Sequence, residues 1–85
     1  MSPLVECVPN ISEGRDLEKI ERIVDSVRSI EGCTVLGVEP DHDYNRTVIT
    51  FAGPPGPVLE GAVALILASI ATLHIRQHTG ATPRL

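Results

Sequence analysis

The segment that decides the fold is residues 16–38, DLEKIERIVDSVRSIEGCTVLGV, where a helical pattern of apolar residues gives way to a strand pattern. Apolar residues recur with the spacing of one helix face, and charged residues lie between them. These apolar residues are Leu17, Ile20, Val24, Val27 and Ile30. Asp16 is the predicted N-cap, and Gly32 is predicted to end the helix. Residues 33–38 are aliphatic and β-branched, which favours a strand.

Two further strands flank this segment. Residues 4–8 form a short apolar run that Pro9 closes, and they are predicted to be the first strand, with residues 10–16 as a loop. Residues 46–52 alternate apolar residues with threonines and are predicted to be the third strand. The Gly- and Pro-rich residues 53–57 end it as a stiff connector.

A second helix is predicted over residues 58–75, and it is unusually apolar. Residues 61–73 contain no charged side chain, and apolar side chains cover more than half of the helix circumference. The uncharged run is shorter than the roughly 20 residues that a membrane span needs. We therefore expect a second protein layer against this helix, and no membrane partner.

The order strand, helix, strand, strand, helix predicts an α+β fold, a ferredoxin-like split βαβ unit with only its final strand missing. Residues 1–85 are long enough for one small domain. In the complete motif the final strand pairs beside the first, so we expect an open edge of unpaired backbone groups there. This edge and the apolar second helix together predict a homo-oligomer.

Composition limits the classes of partner. The 85 residues include one Tyr and one Phe, which predicts an aliphatic core, and the net charge is -4 without a run of Lys or Arg. Nucleic acid and anionic membranes are therefore not expected, whereas small molecules or proteins are. Cys7 and Cys33 lack the spacing of a metal or redox site and are predicted to be reduced core thiols. No basic segment followed by an apolar segment opens the chain, which predicts no signal peptide and a cytoplasmic location.

The densest polar cluster, EPDHDYN at residues 39–45, has two interpretations. It is either a solvated turn between two strands or part of a binding site. It imitates the start of a calcium loop, but Arg46 occupies the position that requires Gly. His74 and His78 are four residues apart on the second helix and its continuation, without a third ligand at a suitable spacing. No metal site is predicted.

Three segments resemble a known family. They are LVECVPNISEGR at residues 4–15, NRTV at 45–48 and HTGATPRL at 78–85. Together they resemble the N-terminal part of glutamate formiminotransferases, which are folate-dependent enzymes of histidine breakdown. The resemblance runs without a gap along nearly the whole chain and implies the same ferredoxin-like fold. The family's catalytic domain is several times longer, so we expect a partial N-terminal subdomain.

The resemblance implies a reaction, and this chain departs from the family at one residue that the reaction needs. The family transfers a formimino group from N-formimino-L-glutamate to tetrahydrofolate, which requires a group that moves protons near neutral pH. Its terminal motif is similar to His-x-Gly-x-His-Pro-Arg, and the matching residues here are His78, Gly80, Pro83 and Arg84. Thr82 stands where the family has its catalytic histidine. Because a threonine hydroxyl does not titrate near neutrality, we expect this chain alone to be inactive, with a rate loss of about 10² to 10⁴.

The resemblance also implies binding residues and partners. The candidates for substrate and folate binding are Asn10, Glu39, Asn45, Arg46, His78 and Arg84, with Glu13 and Arg15 as weaker candidates. Tetrahydrofolate is the implied co-substrate, and both a formimino and a formyl donor fit the resemblance. The resemblance implies the remainder of the enzyme as a protein partner, beside the further copies of the chain that the apolar helix and open edge predict. The alternative function is a non-enzymatic, self-associating interaction module that uses the second helix and the open edge.

Overall fold

The structure, a computed structural model, describes residues 3–73. It contains an antiparallel sheet and two helices that pack on one face of it. The elements are β1 (Val5–Cys7), β2 (Asn10–Ile11), α1 (Leu17–Arg28), β3 (Thr34–Asp41), β4 (Arg46–Gly53) and α2 (Pro55–Leu73). The predicted α+β fold with a ferredoxin-like split βαβ order is confirmed.

The sheet is built around β4. Strand β3 pairs with β4 along almost its whole length, so β1 and β2 share the other edge of β4. Strand β1 lies within the predicted first strand, residues 4–8, and β2 continues along β4 after an interruption at Pro9, whose carbonyl oxygen accepts a hydrogen bond from the Ile49 amide at 3.0 Å. The prediction that residues 10–16 are all loop was wrong, because Asn10 and Ile11 pair with β4. Within residues 3–73, β1 and β2 pair with β4 alone.

Helix α1 begins as predicted and ends earlier. The Asp16 side chain accepts hydrogen bonds from the amides of Glu18 and Lys19 at 3.1 and 3.2 Å, which confirms the N-cap. The helix ends at Arg28, one turn before Gly32, which instead adopts a φ of +97° in the turn to β3. Leu17 is 66% exposed, so the prediction that it belongs to the apolar stripe was wrong; the buried side chains of α1 begin at Ile20.

The core is aliphatic around a single aromatic ring, as the composition predicted. Its buried apolar residues are Ile11, Ile20, Ile23, Val24, Val27, Ile49, Phe51, Val58 and Leu65. Two buried hydroxyls are satisfied: Thr47 donates to the Glu13 carbonyl oxygen and Ser69 to the Leu65 carbonyl oxygen. Cys7 and Cys33 are free thiols that pack, half-buried, against this core. Helices α1 and α2 and one face of the sheet therefore enclose one continuous core.

Two element boundaries differ from the predictions. Strand β3 runs on to Asp41 because Glu39, Pro40 and Asp41 pair in register with β4, so residues 42–45 alone form the turn. Helix α2 begins at Pro55. Prolines fit the first turn of a helix because a backbone N–H group there would have no hydrogen-bond partner within the helix. The predicted stiff connector is thus divided between the end of β4 and the start of α2.

By length and composition alone, α2 is long and apolar enough to cross a membrane. It has 19 residues and a mean hydropathy of 1.8 over its apolar stretch, of which 22% is buried. Core helices of globular domains, which are mostly buried, pass the same test, and α2 packs one side against α1 and the sheet. Its buried residues are Val58, Gly61, Leu65 and Ser69. Three further apolar residues are partly buried against the core, namely Ala62, Ala68 and Leu73. Five large apolar side chains are exposed: Leu59, Val63, Ile66, Leu67 and Ile70.

Candidate functional site

The face of the sheet that the helices do not cover holds several of the predicted site residues. Side chains alternate along β4: Thr47, Ile49 and Phe51 are fully buried beneath the helices. The residues between them point to the opposite side. Within residues 3–73 no helix covers this opposite side, which we call the helix-free face. It consists of the outward side chains of all four strands.

A row of three residues crosses the helix-free face. Asn10 of β2 and Glu39 of β3 both lie directly opposite Val48 of β4, on its two sides. Because residues directly opposite one another in an antiparallel sheet point to the same face, all three side chains project together. Two strand spacings separate Asn10 from Glu39, or about 10 Å. Both polar residues are exposed, with the half-buried Val48 between them.

Arg46 opens β4 on the same face, two residues before Val48. It lies opposite Asp41 in the register, and its Cζ atom is 5.2 Å from the centre of the Tyr44 ring, a cation–π distance. Among the residues that the structure describes, Arg46 forms no ion pair. Its exposed guanidinium is therefore free, in this part of the chain, to bind a carboxylate through two N–H groups.

Asn45 is already engaged within the chain. Its Oδ1 accepts a hydrogen bond from the Gly14 amide at 2.9 Å, and its backbone has a φ of +50°, the left-handed conformation that Asn tolerates better than most residues. Within residues 3–73 its side-chain NH₂ group makes no hydrogen bond, so this group can bind a ligand. The structure thus gives Asn45 a structural role, and substrate binding by its NH₂ group stays a prediction.

The loop before α1 lies closely on the β3–β4 hairpin. A Cβ atom on Gly14 would lie 2.3 Å from the Asp41 carbonyl oxygen and 2.5 Å from the Arg46 amide nitrogen, so no side chain fits there. Beside it, Arg15 Nε donates to the His42 carbonyl oxygen at 2.9 Å. These contacts join residues about thirty positions apart and fix the start of β4, where Arg46 lies, against the end of β2.

Glu13 and Arg15, the weaker candidates, are both used locally. Glu13 Oε2 accepts from the amides of Arg15 and Asp16 at 3.2 and 3.0 Å, just before α1 begins. Arg15 holds the hairpin turn through His42. The polar turn itself is ordered by Asp41, whose Oδ1 accepts from the amides of Asp43 and Tyr44. The interpretation of these segments as local caps and turns therefore fits their contacts.

An apolar hollow lies at the other end of the sheet. Its volume is about 370 Å³, and it is open to solvent. Thr34 and Ala52, which are paired with each other on the helix-free face, form its floor. The other lining residues are Leu4, Gly32, Leu36, Gly53 and Pro54. The helix-free face thus has a polar end around Arg46 and, at its other end, an apolar hollow on the β3 side of Ala52 with the exposed Glu6 of β1 paired on the other side.

The remaining predicted site residues cannot be placed. His74, His78, Thr82 and Arg84 lie outside the described residues. Within residues 3–73, no group of three or more His, Cys, Asp or Glu side chains is arranged to hold a metal ion. Sequence reasoning missed Val48 as the centre of the polar row and Gly14 as a contact residue. The alternation along 46–52 was the available signal for Val48, whereas nothing local marks the close contact at Gly14.

Known proteins match the chain along nearly its whole length. The family model described as formiminotransferase domain, N-terminal subdomain, matches residues 4–85. The chain is 44% identical to formimidoyltransferase-cyclodeaminase of Sus scrofa and 42% identical to that of Dictyostelium discoideum, over 100% of the chain and 16% of each relative. It is 42% identical to glutamate formimidoyltransferase of Thermoplasma acidophilum, over 95% of the chain and 27% of the relative. The chain therefore spans about a sixth to a quarter of the length of these relatives.

Proposed function

The chain belongs to the family of formiminotransferase domain N-terminal subdomains, and on this premise we propose that its helix-free face is one wall of a formimidoyltransferase substrate site. The observation that carries the proposal is the row Asn10–Val48–Glu39, with exposed polar side chains at both ends, beside the guanidinium of Arg46. The reaction is transfer of a formimino group from N-formimino-L-glutamate to tetrahydrofolate. The proposed alternative, a non-enzymatic interaction module, is not favoured, because the relatives named are formimidoyltransferases.

Each residue of this face has a role that its chemistry permits. Arg46 binds a carboxylate, which both the glutamate donor and the glutamyl part of folate carry. Asn10 offers both an N–H donor and a carbonyl acceptor, and Glu39 accepts N–H groups. The spacing of about 10 Å between Asn10 and Glu39 lets a flat ligand lie over Val48 and contact both. The apolar hollow near Ala52 suits the less polar part of an elongated ligand.

Tetrahydrofolate supplies the nitrogen that accepts the formimino group when it is bound. The chain must hold the two substrates together and exchange protons with the nitrogens that gain and lose the group. In the described residues we assign the holding role to Asn10, Glu39 and Arg46, with His78 and Arg84 as further proposed contacts. The family resemblance gives the proton-exchanging role to the position of Thr82. We therefore propose that this chain binds its ligands without turnover.

The cellular setting is also a proposal. Cys7 and Cys33 are free thiols in the described part of the chain, which fits a reducing compartment, and we assign the chain to the cytoplasm. Its net charge of -4 supports a role without nucleic acid or anionic membrane. The protein partners we propose are a second copy of the chain or the remaining sequence of a longer enzyme.

A binding experiment with a matched arginine control tests the proposed site. Folate analogues such as 5-formyltetrahydrofolate are titrated against the 85-residue chain by NMR, with Arg46→Ala and Arg22→Ala as variants. Arg22 is an exposed arginine on α1, on the other side of the sheet. Loss of a charge-assisted contact is worth about 1.5 to 3 kcal/mol. The dissociation constant should therefore rise roughly 10- to 100-fold in Arg46→Ala and stay unchanged in Arg22→Ala.

Two results would overturn the proposal. Equal affinities of the two arginine variants would show that Arg46 does not bind the ligand. Chemical-shift changes confined to the helices would show that the ligand does not bind at the helix-free face. Absence of turnover is tested separately. Transfer from formiminoglutamate to tetrahydrofolate that scales with purified chain and disappears in Asn10→Ala would contradict binding without turnover.

A further inference from the structure

The turn between β3 and β4 exposes an aromatic ring. The sequence contains one tyrosine and one phenylalanine, and the phenylalanine, Phe51, is fully buried in the core. Tyr44, in contrast, is 73% exposed. Tight turns favour glycine and small polar residues, so the turn itself does not call for a large ring at this position. The ring instead lies beside Arg46, whose Cζ atom is 5.2 Å from the ring centre.

The backbone that carries this ring is held on both sides. Before it, the Asp41 carboxylate accepts a hydrogen bond from the Tyr44 amide at 3.2 Å. After it, the Asn45 side chain accepts from the Gly14 amide at 2.9 Å and ties the turn to the loop before α1. A tyrosine side chain rotates about only two bonds, so a fixed backbone leaves the ring few positions. The turn therefore presents the ring at a defined place beside Arg46.

The same contacts leave the guanidinium of Arg46 without a carboxylate. Asp41 lies opposite Arg46 in the register, but its Oδ1 accepts from amides of the turn. In the part of the chain that the structure describes, no ion pair joins the two side chains. An ion pair would occupy N–H groups of the arginine, whereas a cation–π contact attracts its charge and occupies none of them. The ring thus restrains Arg46 and leaves its donors unused.

We propose that Tyr44 is a positioning residue of the substrate site, whose ring holds the Arg46 guanidinium ready for a ligand carboxylate. The inference rests on the proposed function, in which Arg46 binds that carboxylate. A long exposed side chain loses rotamer freedom when it binds, and a contact that restricts it beforehand lowers this cost. Cation–π contacts at exposed sites are weak, so loss of the ring should raise the dissociation constant for a carboxylate by about two- to fivefold.

Two substitutions at Tyr44 separate the ring from its bulk. Tyr44→Phe keeps the ring, and Tyr44→Leu keeps an apolar side chain without a π face. Arg46→Ala removes the guanidinium. Each 85-residue chain is titrated by NMR with glutarate, a dicarboxylate that has neither a formimino group nor a pterin ring. We expect the original chain and Tyr44→Phe to bind alike, Tyr44→Leu to bind about two- to fivefold more weakly, and Arg46→Ala to lose binding. Circular dichroism verifies the fold of these exposed-site variants.

A second readout needs no ligand. The ring current of an aromatic side chain shifts the NMR signals of nuclei close to its face, and the end of the Arg46 side chain lies at such a distance from Tyr44. The Arg46 side-chain signals of the free chain should keep this shift in Tyr44→Phe and lose it in Tyr44→Leu. A role of Tyr44 in stability alone would not produce this pattern.

Three results would overturn the positioning role. Arg46 signals that do not move in Tyr44→Leu would show that the ring does not hold the guanidinium. Equal weakening in Tyr44→Phe and Tyr44→Leu would assign the effect to the hydroxyl group. Failure of the original chain to bind glutarate would mean that Arg46 forms no carboxylate site. Failure of the proposed function differs from all three: glutarate binding that depends on Arg46 and on the ring, without binding of 5-formyltetrahydrofolate, would support the positioning role and exclude only the folate ligand.

Discussion

Replacing Gly14 by alanine is the sharpest test of how the loop before α1 fixes the proposed site. The added Cβ would lie 2.3 Å from the Asp41 carbonyl oxygen, 2.5 Å from the Arg46 amide nitrogen and 2.6 Å from the Arg46 carbonyl oxygen. All three atoms belong to the backbone of the hairpin, so no side-chain rotation relieves the overlap. The loop must move away by about 1 Å to restore ordinary van der Waals contact.

The cost follows from two terms. Overpacking a close contact typically destabilises a protein by about 1 to 3 kcal/mol. The same movement stretches the 2.9 Å hydrogen bond from the Gly14 amide to Asn45, which is worth about 0.5 to 1.5 kcal/mol. We therefore expect Gly14→Ala to lower the free energy of unfolding by about 2 to 4 kcal/mol. In a domain of this size that lowers Tm by roughly 10 to 25 °C.

Urea and thermal unfolding followed by circular dichroism measure this effect, and the chain offers a matched control. Gly37 lies in β3, and a Cβ atom built on it meets nothing within 4 Å. Gly37→Ala should leave stability unchanged or raise it by up to about 1 kcal/mol, because alanine restricts the unfolded chain. If the two variants are equally stable, the loop does not lie on the hairpin as described, and the fixed position of Arg46 is refuted with it.

Two further predictions concern the helix cap and a thiol. Asp16→Ala should lower the free energy of unfolding in urea by about 0.5 to 2 kcal/mol through loss of the N-cap, whereas Asp43→Ala, in an exposed turn, should change it by less than about 0.5 kcal/mol. Burial raises the pKa of the Cys33 thiol above its ordinary value of 9.0, so the folded state holds this proton more tightly than the unfolded state. The free energy of unfolding should therefore fall as pH rises past 9.0 towards the pKa of Cys33 in the folded state, and this fall should be smaller in Cys33→Ala. Urea unfolding at a series of pH values measures it, and parallel profiles of the original chain and the variant would contradict the prediction.

The sequence predicted the features that depend on neighbours along the chain. The stripe of α1, its cap at Asp16 and the break after the third strand are all encoded within a few residues. The order of these elements was then enough to identify the split βαβ fold. Errors at element ends arise where contacts between distant segments decide the boundary. Strand β3, for example, continues to Asp41 because it pairs with β4. No pattern within residues 39–45 reveals that pairing.

The candidate site was less predictable because its geometry comes from contacts between distant segments. The family resemblance identified Asn10, Glu39 and Arg46, but strand register decides that Asn10 and Glu39 share one row. The Asn45 side chain is a predicted substrate contact, and its oxygen also accepts a hydrogen bond from the Gly14 amide, 31 positions away. A residue type that binds ligands well also caps backbone groups well. Sequence alone could not separate these two uses.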